Sequence, residues 1–335
     1  MMQGKIDIFG MTDQGRVRRR NEDQFLVADL TKSLRLHQSS LSIEDNETLF
    51  GGSQGQLLMV ADGVGGRAAG DRASRIAVQT MTTFMLNTMP WFYRLSPATD
   101  DDYRDELVDA LKQCENSLTT ETDAHPDDAG MGTTLTMSYI IWPRMYLLHV
   151  GDSRCYLSRN RELRQLTRDH TVKEKLREAG VVEDDDAELW ANTLWNSIQA
   201  DGDATPDVFR VNLEVGDTLL LCSDGLIKHV DDEAIQTTLQ TGFSAEDQCR
   251  SLIQDAVNAG GTDNVTAIVA RFLDQQLALD EAAQSASLPA ESSQLSDQST
   301  LDRALPEPSL FDADSAQADL TTELPGRQPE ATRIA

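Results

Sequence analysis

Four aspartates stand where an apolar run meets glycine, serine or asparagine. The run Leu57–Ala61 ends in Asp62-Gly63-Val64-Gly65-Gly66, and Leu219–Ser223 ends in Asp224-Gly225. Leu147–Gly151 ends in Asp152-Ser153-Arg154, and Thr262-Asp263-Asn264 stands just before Val265–Val269. A strand end fixes a carboxylate, and a neighbouring glycine lets a second group come close. One Asp-Gly pair is an ordinary turn; four acids flanking apolar strands suggest a cluster. With no His or Cys cluster beside them, oxygen-only donors suit hard cations, Mg2+ or Mn2+. His149 and His170 read as packing or hydrogen-bonding residues. A second group, Asp13–Asp23, sets Arg16, Arg18, Arg19 and Arg20 beside Asn21, Glu22 and Asp23. A guanidinium next to a metal-binding carboxylate is what holding a phosphate dianion requires.

Apolar periodicity supplies the elements that would position these side chains. Strands are expected at Lys5–Thr12, Gln24–Asp29, Gln56–Ala61, Thr133–Ile141, Arg144–His149, Arg154–Ser158, Leu163–Leu166, Phe209–Leu213, Thr218–Cys222 and Val265–Phe272. Turns fall at Trp142–Pro143 and Asn160–Arg161. Helical spacing marks 68–89, 102–122, Thr171–Ala179, 232–240 and 245–258. The 31–55 segment fits either an insertion hairpin or a loop. Strands and helices are grouped rather than alternating, so the fold class expected is α+β. Two antiparallel sheets with helix pairs on both outer faces would use every element.

The chain has 335 residues with 56 acidic and 29 basic side chains, a net charge of -27. Such a surface repels nucleic acid and anionic lipid, so neither is expected as a partner. The N-terminus lacks an apolar signal region, and no stretch approaches the ~20 apolar residues of a spanning helix. Cys114, Cys155, Cys222 and Cys249 are far apart and read as reduced, buried thiols in a cytoplasmic protein. Residues 274–335 hold 12 acidic and 3 basic residues, five of the ten prolines and one aromatic, Phe311. That segment cannot bury enough apolar surface to offset its ordering entropy, so it is expected to be a disordered tail behind a domain of residues 1–273. It would act as a tether, or as a strand docking on Arg16, Arg19 and Arg20. Nothing indicates assembly, and a monomer is expected.

Seven ordered motifs resemble the metal-dependent serine/threonine protein phosphatases of the 2C type, in a bacterial-like form. They are Thr12-Asp13-x-Gly15-x-x-Arg18-x-x-Asn21-Glu22-Asp23, Asp62-Gly63-x-Gly65-Gly66, Gly132-Thr133-Thr134, Gly151-Asp152-Ser153-Arg154, Leu166-Thr167-x-Asp169-His170, Ser223-Asp224-Gly225-Leu226 and Gly261-x-Asp263-Asn264-Val265. Together they span roughly residues 4–272, with no motif sufficient alone. The resemblance implies a β-sandwich flanked by helices and hydrolysis of phosphoserine and phosphothreonine in protein substrates of a serine/threonine kinase. It implies two Mg2+ or Mn2+ ions bridged by Asp62, with the Gly63 carbonyl on one and Asp224 and Asp263 on the other. Glu22 and Asp23 would hold metal-bound water, Arg18 would clamp the phosphate, Asn264 would support the site, and Asp152 would serve a third ion. Residues 172–206 would form a flap beside the site. A hydroxide generated between the ions would attack phosphorus in line, with no phosphoenzyme.

Two positions depart from the pattern. Val64 stands where some relatives carry a histidine able to protonate the leaving group. Lys228 stands four residues after Asp224, where many relatives carry Asp or Asn for the third ion. Its ammonium would repel a cation there or stand in for one by pairing with Asp152, or it would point to solvent. The departure raises an alternative: a catalytically impaired pseudophosphatase that binds phosphoproteins.

Overall fold

The computed structural model describes residues 5–35, 48–64, 69–88, 100–180, 190–200 and 202–274. Its strands are β1 Lys5–Asp13, β2 Asp23–Arg35, β3 Thr48–Val64, β4 Gly132–Thr133, β5 Leu135–Ile141, β6 Arg144–Val150, β7 Arg154–Arg159, β8 Glu162–Gln165, β9 Ile198–Gln199, β10 Asp207–Asn212, β11 Thr218–Cys222 and β12 Val265–Leu273. Its α-helices are α1 Gly70–Thr88, α2 Asp100–Ala124, α3 Val172–Glu178, α4 Asp224–Ile227, α5 Asp232–Leu239 and α6 Ala245–Asn258. One sheet has five strands in the order β1-β12-β11-β7-β8. The other has seven, along the path β10-β6-β5-β3-β4-β9 with β2 paired to β3. All the paired strands within the sheets are antiparallel.

The central strands read as unbroken apolar runs because both of their faces are covered. Side chains alternate across the sheet. Leu57, Met59 and Ala61 face α1 and α2, with Ala73, Met81, Leu107 and Leu111. Leu58 and Val60 face the opposite sheet, against Leu219, Leu221, Ile268 and Ala270. Leu220, Cys222, Ala267 and Val269 turn outward onto α5 and α6, through Ile235, Leu239, Leu252 and Ile253. Three apolar layers therefore separate four structural ones: a helix pair, two sheets and a second helix pair, as the grouping of elements predicted.

Local signals set several boundaries. Asp231 and Ser244 accept hydrogen bonds from the Ala234 and Asp247 amides and begin α5 and α6, and Thr171 does the same for α3 through Glu174. Asn160 and Arg161 both adopt positive φ, 52° and 64°, giving the two-residue hairpin turn between β7 and β8. Within 31–55, the described residues form a hairpin: β2 and β3 stay paired out to Arg35 and Thr48. The strand expected over Thr133–Ile141 is divided, because the Thr134 amide leaves the ladder to bond the Asp62 carbonyl at 2.9 Å. The two-residue strand β9 and the single-turn α4 carry no periodicity and were not legible. Part of the expected flap, 181–189, and the tail beyond Asp274 lie outside the described residues.

Candidate metal and phosphate site

The acids meet at one end of the sandwich because strands of both sheets stop there. Asp23 opens β2 and is the direct partner of Asp62 near the end of β3. Asp152 follows β6, Asp224 follows β11 and Asp263 precedes β12. Burial pushes the Asp62 carboxyl well above the usual range, and Asp23, Asp224, Asp152 and Asp263 add repulsion. Asp23 and Asp152 are each raised to about 7, first by burial and then by neighbouring acids. Asp224 is raised by burial too, against the pull of Lys228. Glu22 is also raised, mainly by burial, with Arg18 opposing.

Hydroxyls and backbone hold these groups in place. Asp23 Oδ2 accepts from Ser223 Oγ and Thr266 Oγ1, each at 2.7 Å, so one carboxylate ties β2 to the ends of β11 and β12. Thr134 Oγ1 accepts from the Asp62 amide at 2.9 Å and meets Ser153 Oγ at 2.8 Å, tying Asp62 to the turn that carries Asp152. Thr134, Ser153, Ser223 and Thr266 were not singled out as site residues. Ser153 and Ser223 each adjoin a motif acid, a signal too common to read without the fold, and Thr134 and Thr266 adjoin none. Two glycines mark close backbone approach. A Cβ on Gly63 would lie 2.2 Å from the Gly70 carbonyl oxygen, and one on Gly225 would lie 1.9 Å from that of Asn264.

Asn264 clamps the arginine loop. Its amide donates to the carbonyls of Gln14 and Arg20, both at 2.9 Å, and its Oδ1 accepts from the Glu22 amide at 2.9 Å. The clamp delivers Arg18 to Asp263, with Nε to Oδ1 at 2.7 Å and Nη2 to Oδ2 at 2.9 Å. This pairing occupies the Nε–Nη2 edge of the guanidinium. The side chain is 51% exposed, and the other edge makes no hydrogen bond among the described residues. Burial would raise the Asp263 carboxyl, but hydrogen bonds from Lys228 and Arg18 outweigh it and hold it below the usual range.

Lys228 does not take two of the three courses read for it from the sequence. It does not bond Asp152, and only 29% of its side chain reaches solvent. Its Nζ lies 2.5 Å from Asp224 Oδ2 and 2.7 Å from Asp263 Oδ2. One turn of α4 lies between residues 224 and 228, which brings the ammonium back over the carboxylate. As folded, no three His, Cys, Asp or Glu side chains among the described residues converge on one point for an ion. The donor chemistry nevertheless fits hard dications: Asp23 Oδ1 and Asp224 Oδ1 are buried with no hydrogen-bond partner, and the neighbouring acids offer only oxygen.

His149 and His170 are structural. His149 Nδ1 meets Thr136 Oγ1 at 2.9 Å and its Nε2 meets the Arg168 carbonyl at 2.9 Å; burial first, then His170, lowers it to about 3. A neutral ring therefore accepts from Thr136 and donates to Arg168. His170 Nδ1 accepts from the Gly151 amide at 3.2 Å and the Asn196 side-chain amide at 2.8 Å. It thereby joins the described part of the flap region to the Asp152 turn. Arg154 and Asp169 of two further motifs pair with each other at 2.7 Å rather than entering the acid cluster.

The family profile described as Protein phosphatase 2C matches residues 36–278. The serine/threonine phosphatase stp of Listeria monocytogenes serotype 4b is 31% identical over 268 residues, covering 79% of this chain and 96% of that protein. The structure of the Mycobacterium tuberculosis serine/threonine phosphatase PstP/Ppp superposes with a TM-score of 0.64 at 29% identity, covering 81% of this chain and 99% of that one. A structure of the PstP catalytic domain in complex with two manganese ions gives 0.63 at 30% identity, covering 80% and 99%. The chain belongs to the protein phosphatase 2C family.

Proposed function

We infer that this chain is a metal-dependent protein phosphatase that hydrolyses phosphoserine and phosphothreonine. The carrying observation is that Asp23, Asp62, Asp152, Asp224 and Asp263 lie near one another at the strand ends of both sheets, beside an arginine that spends one edge on Asp263. Asp62, Asp224 and Asp263, with the Gly63 carbonyl and with Glu22 and Asp23 behind them, would hold two Mg2+ or Mn2+ ions. When bound, such ions acidify water and offset phosphate charge. Arg18 receives the phosphate on its other edge, and Asp263 holds that fork in place. Thr134 and Ser153 keep Asp62 in register with the Asp152 turn. Water attacks phosphorus opposite the seryl or threonyl oxygen, the phosphorus–oxygen ester bond breaks, and the leaving oxygen takes a proton from solvent, since Val64 has none to give. No cysteine acts as nucleophile: all four are free and buried, and burial raises each thiol to about 12 or beyond.

The substrates are phosphoproteins made by a serine/threonine kinase, and the enzyme acts as a monomer in the cytoplasm, a location the free cysteines support. Among the described residues no helix is long and apolar enough to cross a membrane. We place the phosphatase domain at residues 1–273 and assign residues 274–335 the part of an acidic tether.

The test is Mn2+-dependent hydrolysis of a phosphothreonine peptide by the full chain. Activity is expected with Mn2+, none with EDTA, and none from Asp62→Ala. Undiminished turnover by Asp62→Ala would sink the assignment. A second reading, the pseudophosphatase, is favoured by Lys228 bridging Asp224 and Asp263; Mn2+ binding with no turnover of any phosphopeptide would select it.

A further inference from the structure

The Lys228 ammonium is held between Asp224 Oδ2 at 2.5 Å and Asp263 Oδ2 at 2.7 Å. It therefore stands where two acids from different loops would otherwise share a cation. Six carboxylates make up the cluster: Glu22, Asp23, Asp62, Asp152, Asp224 and Asp263. Nearby acids outside it have their own partners, Asp169 with Arg154 and Asp71 with Arg75. Arg18 and Lys228, the two cations paired with these acids, contribute one positive charge each, so four negative charges remain, with Arg20 acting on Glu22 without an ion pair to it. Two divalent ions balance them. A third would leave the pocket with two surplus positive charges, one of its neighbours being the Lys228 ammonium.

We propose that Lys228 is a resident cation that sets the ion count of this centre at two. It does so by electrostatics and position: it balances Asp224 and Asp263 and lends its charge to the Asp152 side of the cluster, where a further ion would go. The proposal rests on the phosphatase reading for the two ions and concerns what this chain's own side chain does to the third. It also assigns Lys228 a cost. The ammonium must give up hydrogen bonds to Asp224 and Asp263 when those oxygens turn to an ion. Hydrogen bonds to charged groups are each worth roughly tenfold in an equilibrium constant, so the wild-type chain binds its ions more weakly than a variant lacking the competitor.

The test is Mn2+ binding to the full-length protein by isothermal titration calorimetry, with bound metal counted independently by native mass spectrometry. Wild type is expected to take two ions. Lys228→Asp removes one positive charge and adds one negative charge, a change equal to one dication, and is expected to take three. Lys228→Met keeps the length of the side chain and removes only the charge; its Mn2+ affinity is expected to rise about tenfold. Three ions on wild type, or an affinity for Lys228→Met within about twofold of wild type, overturns the proposal. If Lys228→Asp does not fold, the Lys228→Met affinity decides alone. These outcomes are separate from failure of the phosphatase reading, which would show as wild type that binds no Mn2+ and cleaves no phosphothreonine peptide.

Discussion

Asp23 and Asp62 are direct partners across the β2–β3 ladder, two carboxylates on the same face of one sheet. Like charges so placed destabilise a strand pair. Asp23 offsets part of this through Ser223 and Thr266, and its second oxygen, Oδ1, has no partner. Burial and the neighbouring acids put Asp23 and Asp152 at about 7 in the folded protein, against roughly 3.9 in an unfolded chain.

Metal-free stability therefore falls as pH rises. Between about 4 and about 7 the folded state holds protons on Asp23 and Asp152 that the unfolded state has released, so unfolding is favoured progressively across that window. Asp263 has the opposite sign: its carboxyl lies below the usual range, and its contribution is lost as pH falls through that lower value. In EDTA the melting temperature is expected to be higher at about pH 5.5 than at about pH 8. Mn2+ is expected to stabilise more at the higher pH, because its ligands must be deprotonated. Thermal melts across pH, with and without Mn2+, check both slopes; a metal-free melting temperature that rises with pH contradicts the first.

Thr266→Val removes a hydroxyl that donates to Asp23 Oδ2 at 2.7 Å and pairs with Thr12 Oγ1 at 2.7 Å. A buried carboxylate that loses a donor costs about 1–3 kcal/mol. Urea unfolding of the metal-free variant is expected to show that loss. The loss should shrink at low pH, where Asp23 is neutral in both states. An equal loss at every pH would mean that the hydroxyl only packs.

Gly225→Ala places a methyl carbon 1.9 Å from the Asn264 carbonyl oxygen, a backbone atom that cannot swing away. Asn264 also holds Gln14, Arg20 and Glu22. Relieving the clash displaces the clamp and with it Arg18. Overpacking of this kind costs about 1–3 kcal/mol or more. Phosphopeptide hydrolysis is expected to fall much further than stability. Wild-type kinetics in Gly225→Ala would show that the α4 entry is looser than its contacts indicate.

Much of this arrangement was legible before the fold. The runs at Leu57–Ala61 and Leu219–Cys222 read as strands because both faces of each are covered, and the acids that end them mark where those strands stop. The meeting of Asp23 with Asp62 was not legible, because it depends on the β2–β3 register, which periodicity does not fix. Nor was the position of Lys228. Its spacing from Asp224 placed it on the right turn, but the pull of Asp263 comes from a loop 35 residues away. The hydroxyls of Thr134 and Thr266 were hidden for the same reason: their partners come from other strands.

Arg18→Lys isolates the fork from the charge. Arginine spends its Nε–Nη2 edge on Asp263 and keeps a second edge with no other hydrogen bond among the described residues. Lysine has a single donor head and cannot bind the carboxylate and a phosphate in two fixed directions at once. If Arg18 serves only to balance Asp263, the lysine variant should retain both metal binding and turnover. If it aims the phosphate, kcat/KM for a phosphothreonine peptide should fall by about tenfold or more, the worth of a charged hydrogen bond. Mn2+ affinity should then change little, because lysine keeps the positive charge beside Asp263. Calorimetry on Mn2+ together with steady-state kinetics separates the two cases, and a tenfold loss of Mn2+ affinity with unchanged kcat/KM at saturating metal would remove Arg18 from phosphate binding.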